Sequence, residues 1–118
     1  MIKIEAYIRE DKMDDVINAL AEIDIHGITC YQVMGCGSQH GVKGYVRGKQ
    51  EVELTLLPKV KIEVLIAADD CEERVVETIK KSAYTGENGD GKICCYDIKN
   101  VVRIRTGETG PEAIRPSD

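Results

Sequence analysis

The chain has no Trp and no Phe, and its aromatic residues are five Tyr among 118 residues. A core here is therefore left to aliphatic side chains. Basic residues do not predominate: 16 Lys and Arg face 21 Asp and Glu, a net charge of −5. That excludes a general nucleic-acid binder, whose phosphate contacts need basic surface. No apolar run approaches the ~20 residues of a membrane helix, and Met1-Ile2-Lys3-Ile4-Glu5 does not read as a signal peptide. No two of the five cysteines (30, 36, 71, 94 and 95) have the spacing of a zinc-ligand pair. Their odd number and irregular spacing argue against a disulfide framework, so they read as small apolar fillers in a reduced cytoplasm. No Walker A motif is present, which excludes a P-loop NTPase. His26 and His40 stand apart, and no Ser–His–Asp set accompanies either.

What remains is one domain, 1–118, of ordinary soluble composition. Ile2, Ile4, Ala6 and Ile8 alternate with polar residues and predict a half-buried strand. Asp11 is placed to cap a helix over 12–23, whose apolar stripe is Met13, Val16, Ile17, Leu20 and Ile23. Thr29 to Val33 are β-prone. Five of the 16 residues in 35–50 are Gly, and no apolar period persists there, so this segment reads as a long, mobile loop of the kind that is functional or disordered. Val60, Ile62, Val64 and Ile66 predict a strand after Pro58-Lys59. Asp69 and Asp70 are placed to cap a second helix carrying Val75, Val76, Ile79 and Ala83, ended by Gly86. Ile93–Tyr96 and Lys99–Arg105 predict a final strand pair, and a polar tail follows from about 108. The order β-α-β, loop, β-α-β is that of an α+β, ferredoxin-like fold: a four-stranded antiparallel sheet with both helices on one face. Its other face calls for a covering partner, hence an oligomer.

The residues point to anion handling more than to catalysis. Gly89-Asp90-Gly91-Lys92 offers backbone N–H groups and a cation in one turn. Arg103 and Arg105, two apart on a predicted strand, share a face and suit a polyphosphate. Gly35 to Gly41, with Gln39, add further amides.

With these pieces assembled, the chain resembles the PII family of nitrogen-regulatory signalling proteins, the GlnB/GlnK type, from Met1 to about Gly107. The resemblance lies in Leu57-Pro58-Lys59-Val60-Lys61-Ile62-Glu63, in Thr85-Gly86 with Gly89-Asp90-Gly91-Lys92-Ile93, and in Val102-Arg103-Ile104-Arg105-Thr106-Gly107. Gly27-Ile28-Thr29 and Gly35-Cys36-Gly37-Ser38-Gln39 match as well. It implies a cytoplasmic homotrimer that is not an enzyme, with ATP and ADP competing for clefts between subunits and 2-oxoglutarate binding with Mg-ATP. Segment 37–55 becomes the T-loop that touches target proteins, an ammonium transporter or enzymes of nitrogen assimilation among them. Carried over residue by residue, Thr29 and Leu65 take the adenine side. Gly37, Ser38, Gly89, Asp90, Gly91 and Lys92 take the phosphates, and Arg103 and Arg105 reach them from the C-terminal segment. Gln39 holds Mg²⁺ and 2-oxoglutarate, Gly41 offers backbone to that effector, and Lys59 pairs with its carboxylate. Arg47, with Tyr45 in the same loop, faces the partner.

The chain departs from the family at several positions. Ser38 stands where an Arg is usual, which removes a charge-assisted hydrogen bond of about 1–3 kcal/mol. No Tyr follows Arg47-Gly48 at the uridylylation register, Lys49 replaces a phosphorylated Ser, and Cys94 replaces an aromatic residue. The resemblance therefore implies no modification at these sites. Two other readings are an ATP-using enzyme of this fold with His40 as its base, and a trimeric metal-binding protein using Cys and His.

Overall fold

The computed structural model describes residues 1–46, 49–67 and 71–115, by backbone alone over 37–55. Strand β1 (Ile2–Arg9) leads through a 3-10 turn, Glu10–Lys12, into α1 (Met13–Glu22). Strands β2 (Ile28–Val46) and β3 (Lys49–Ile66) follow, then α2 (Glu72–Ala83), β4 (Lys92–Asp97) and a helical turn α3 (Pro111–Ile114). The sheet order is β2-β3-β1-β4 and every pair is antiparallel. This is the ferredoxin-like arrangement expected from the sequence.

The core is aliphatic, as the missing Phe and Trp require. Ile4, Ala6 and Ile8 of β1 and Ile62 and Val64 of β3 meet Val16 and Leu20 of α1 and Val75 and Ile79 of α2, all at most 1% exposed. Period-2 burial on β1 and the stripes of both helices thus close on one another across one sheet face. The opposite face carries charge. Glu5 lies directly across from Glu63 in the β1–β3 register, a repulsive pairing. Lys61 resolves it, with Nζ 3.3 Å from Glu5 and 3.4 Å from Glu63, and Lys3 adds a contact to Glu5 at 3.4 Å. Burial pushes the Glu5 carboxyl up, but the two ammonium groups outweigh it and hold the group below its ordinary range. The same lysines stand 4.9 Å from the rings of Tyr96 and Tyr31.

Several expectations are corrected. The described residues of 35–50 are not a mobile loop, because β2 and β3 continue as a paired ribbon to Val46↔Lys49, with one irregularity between Ser38 and Lys43. Backbone pairing needs no apolar period, and glycine weakens a ladder without forbidding it. The third strand accordingly begins at Lys49 rather than after Pro58. Proline is tolerated there because β1 stops at Arg9↔Lys59, so Pro58 has a partner only on the β2 side. Lys99–Arg105 is not a strand. Asp97 pairs with Ile2, the first residue of β1, and beyond it β1 has nothing further to pair.

The helix ends also differ. Asp11 falls in the 3-10 turn, and α1 starts after Lys12 with no side-chain cap. Helix α2 starts after Cys71, while Asp69 and Asp70 lie outside the described residues. It ends at Ala83 with Tyr84 extended, so Gly86 belongs to the loop beyond. The cysteines are not buried fillers: Cys94 is half-buried, and Cys30, Cys36, Cys71 and Cys95 are exposed free thiols. The small side chains of Ala and Val, not Cys, fill the space between the layers. Part of the expected tail, Pro111–Ile114, is a helical turn.

Leu20 is fully buried between α1 and the sheet. Leu20→Ala is expected to cost about 2–5 kcal/mol, read as a lower urea midpoint with an unchanged slope.

Candidate functional site

The loop that joins α2 to β4 is built around one carboxylate. Asp90 accepts the backbone N–H of Thr85 at 2.8 Å and that of Gly86 at 2.9 Å, together with the Thr85 hydroxyl. The Nε of Arg9 donates to it from the end of β1 at 3.0 Å. The Thr85 hydrogen bonds, with those of Gly86 and Arg9, hold the Asp90 carboxyl far below the usual carboxylate range. Left-handed backbone at Gly86 (φ 87°), Gly89 (φ 100°) and Gly91 (φ 101°) lets the chain close round it. At Gly91 the need is also steric, because a Cβ there would lie 1.6 Å from the Tyr7 carbonyl oxygen.

Cations gather at this loop. Arg9 and Lys59 are register partners on β1 and β3, and they share the charged sheet face because their neighbours Ile8 and Val60 are buried on the other. Arg9 Nη2 donates to the Asn88 carbonyl at 2.8 Å, and Lys59 Nζ donates to that of Gly89. Lys92 follows at the first position of β4. Arg9, Lys59 and Lys92 thus gather at a loop that carries two carboxylates, Glu87 and Asp90; Arg9 is spent on the loop itself, and Lys59 and Lys92 with the loop amides suit an anion. Beside the loop lies a cleft of about 260 Å³, lined chiefly by Ile8, Ile79, Ala83, Tyr84 and Ile93.

The structure brings together Lys59, Gly89, Asp90, Gly91 and Lys92 of the residues expected to bind ligand. Thr29 and Leu65 stand elsewhere: Thr29 pairs with Glu63 and Leu65 with Lys3. Leu65 is six residues along β3 from Lys59, roughly 20 Å at strand rise, and Glu63, across from Thr29, is four residues from it, roughly 13 Å, so both are well removed from the loop. Gly37 and Ser38 pair by backbone with Thr55 and Leu54, Gln39 and Gly41 fall in the irregular stretch, and Tyr45 lies across from Gln50. Arg47 lies outside the described residues.

Arg103 and Arg105 do not alternate along a strand. They sit in a turn closed by Arg103 N–H to the Glu108 carbonyl and Gly107 N–H to that of Arg103, both 2.8 Å. The Arg103 guanidinium is taken by Glu108 Oε1 at 2.9 Å and by the carbonyls of Ala113 and Arg115. Arg105 is exposed.

Sequence reasoning missed Arg9 and Thr85. The Thr85-to-Asp90 span around two glycines is a turn-bracing pattern that was there to be read. Arg9 was not, because its partnership needs the β1–β3 register. Gly91→Ala is expected to cost at least about 3 kcal/mol, since left-handed strain adds to a backbone clash. Gly27→Ala, where an added Cβ meets nothing within 4 Å, should leave the melting temperature nearly unchanged.

Comparison with known proteins agrees with this geometry. Residues 1–108 match the family described as Nitrogen regulatory protein P-II. A Nitrogen regulatory protein P-II from Mesorhizobium japonicum is 49% identical over 114 residues, which cover 97% of this chain and 100% of the relative. Among solved structures, GlnK of B. subtilis aligns with TM-score 0.79 at 34% identity, covering 95% of this chain and 96% of that one. The B. subtilis GlnK–ATP complex aligns with TM-score 0.77, also at 34% identity, covering 95% of each. Matched almost from end to end in sequence and in fold, this chain belongs to the nitrogen regulatory protein P-II family.

Proposed function

We propose that this chain is a signal-transduction regulator of nitrogen metabolism that binds ATP or ADP and, with Mg-ATP, 2-oxoglutarate, and acts on its targets by binding rather than by turnover. The observation that carries the reading is the left-handed glycine loop at Gly89–Gly91, braced by Arg9 and with Lys59 and Lys92 beside it. Convergent amides and cations recognise phosphate and carboxylate. A solved relative of the same fold is a complex with ATP, which supports the nucleotide.

In this reading Gly37, Ser38, Gly89, Gly91 and Lys92 hold the phosphates. Asp90 takes part through its backbone, since its carboxylate is already occupied within the loop. Thr29 and Leu65 hold the base. Their separation from the loop along β3 favours a site completed by a second copy: one subunit supplies the phosphate loop, and its neighbour supplies the base side with Arg103 and Arg105. A homotrimer meets that requirement and covers the charged sheet face. Gln39 would hold Mg²⁺, which supplies charge neutralisation between phosphate oxygens when bound. Gln39, Gly41 and Lys59 would hold 2-oxoglutarate.

The ribbon formed by β2 and β3 beyond Pro58 carries Gln39 near its root and Tyr45 farther out. Ligand site and partner surface then share one segment, with Arg47 of the same segment facing the partner. A ligand that binds two arrangements of the ribbon unequally shifts their populations, and with them the affinity for a target. An ammonium transporter or an enzyme of nitrogen assimilation is the proposed class of target, met in the cytoplasm.

Calorimetric titration with ADP, and with Mg-ATP in the presence and absence of 2-oxoglutarate, tests the reading. We expect 2-oxoglutarate to bind only with Mg-ATP. Gln39→Ala should abolish that binding and spare ADP, and an unchanged 2-oxoglutarate affinity in the variant would sink the assignment.

A further inference from the structure

Arg9 and Lys59 present a problem that the loop solves. Like charges directly opposed across an antiparallel pair repel, and here each finds its acceptors in the same short segment. Lys59 uses the Gly89 carbonyl. Arg9 uses two diverging donors, Nε to Asp90 and Nη2 to the Asn88 carbonyl. Asp90 meanwhile gathers Thr85 and Gly86 from the start of the loop. With those partners its carboxylate has little left for a ligand, and its charge would repel phosphate.

We infer that Arg9 and Asp90 form a positioning pair that sets the loop between α2 and β4 in its ligand-ready shape before any ligand arrives. Asp90 is the internal anion round which Thr85–Gly91 closes, and Arg9 ties that anion to the end of β1. Neither side chain touches the ligand. A loop already ordered spares the ligand the cost of ordering it. Arginine suits the task because its planar fork reaches a carboxylate and a carbonyl at once, whereas a lysine ammonium at the same place reaches one of them. The inference rests on the proposed function only for the identity of the ligand, because the clamp belongs to the free chain.

The test uses the full chain with Arg9→Ala, Arg9→Lys, Asp90→Ala and the double variant Arg9→Ala/Asp90→Ala. Hydrogen exchange of the Thr85 and Gly86 amides should quicken in both single alanine variants without ligand. Affinities for ADP and for Mg-ATP should fall by the same factor, about tenfold, in each alanine variant. The double variant should lose little more than either single one, because the two residues act as a unit. Arg9→Lys should fall between wild type and Arg9→Ala. Losses that multiply in the double variant, or that grow from ADP to ATP as a direct phosphate contact would make them, overturn the inference. So does loop exchange unaltered by Arg9→Ala. If the wild-type chain binds neither nucleotide, the functional reading fails and the exchange comparison alone decides the clamp. If Asp90→Ala does not fold, the ranking of wild type, Arg9→Lys and Arg9→Ala decides it.

Discussion

The eight residues of β1 set the extent of everything paired to them. Because β1 is hydrogen-bonded on both sides, its two ends decide where the neighbouring strands lose support. At Arg9 the sheet narrows from three strands to the β2–β3 ribbon, so the same position ends the closed part of the fold and roots the segment proposed to meet targets. Past the Ile2–Asp97 pair one more backbone bond joins the two segments, Ile98 N–H to the Met1 carbonyl at 3.0 Å, and the chain beyond turns on itself instead of extending the sheet. Between these ends, the Tyr7 carbonyl comes so close to the loop that residue 91 has room only for hydrogen.

Two like-charge conflicts on the open sheet face are settled by different means. Glu5 and Glu63, mid-sheet, are bridged by side chains of the same face, chiefly Lys61. Arg9 and Lys59, at the sheet end, are satisfied by loop carbonyls and by Asp90, a group from another part of the chain. The first solution makes a static patch, since every partner sits on a rigid strand. The second joins sheet to loop, so a ligand drawn to Lys59 and the loop acts where two elements are already tied. That is a short physical route from an anion to the root of the ribbon, and it needs no pathway through the core.

Much of the fold was legible because one-dimensional periodicity maps directly onto burial. The Ile2, Ile4, Ala6, Ile8 alternation and the Val75, Ile79, Ala83 stripe became the core that they foretold. The glycine-rich stretch at 35–50 was misread because a two-stranded ribbon is held by backbone hydrogen bonds, which side-chain pattern does not report. The strand expected over Lys99–Arg105 failed for the converse reason: its alternation is real, but among the described residues it finds only a single bridge, Val102 to Thr109. The exposed thiols mark the same limit, since the burial habit of cysteine is an average over proteins and not a property of a place in this one.

The candidate site divides along the same line. Gly89, Asp90, Gly91 and Lys92 announce themselves because anion-binding turns are local, and a few consecutive residues carry most of the signal. Local pattern along the chain was enough for the fold class, the aliphatic core and the presence of that turn. Folding was needed to bring Arg9 and Lys59 side by side at the turn, to occupy the Asp90 carboxylate within its own loop, and to set Thr29 and Leu65 well away from it along β2 and β3. Those facts depend on strand register, and register is set by the sum of pairings along whole strands rather than by any residue within them.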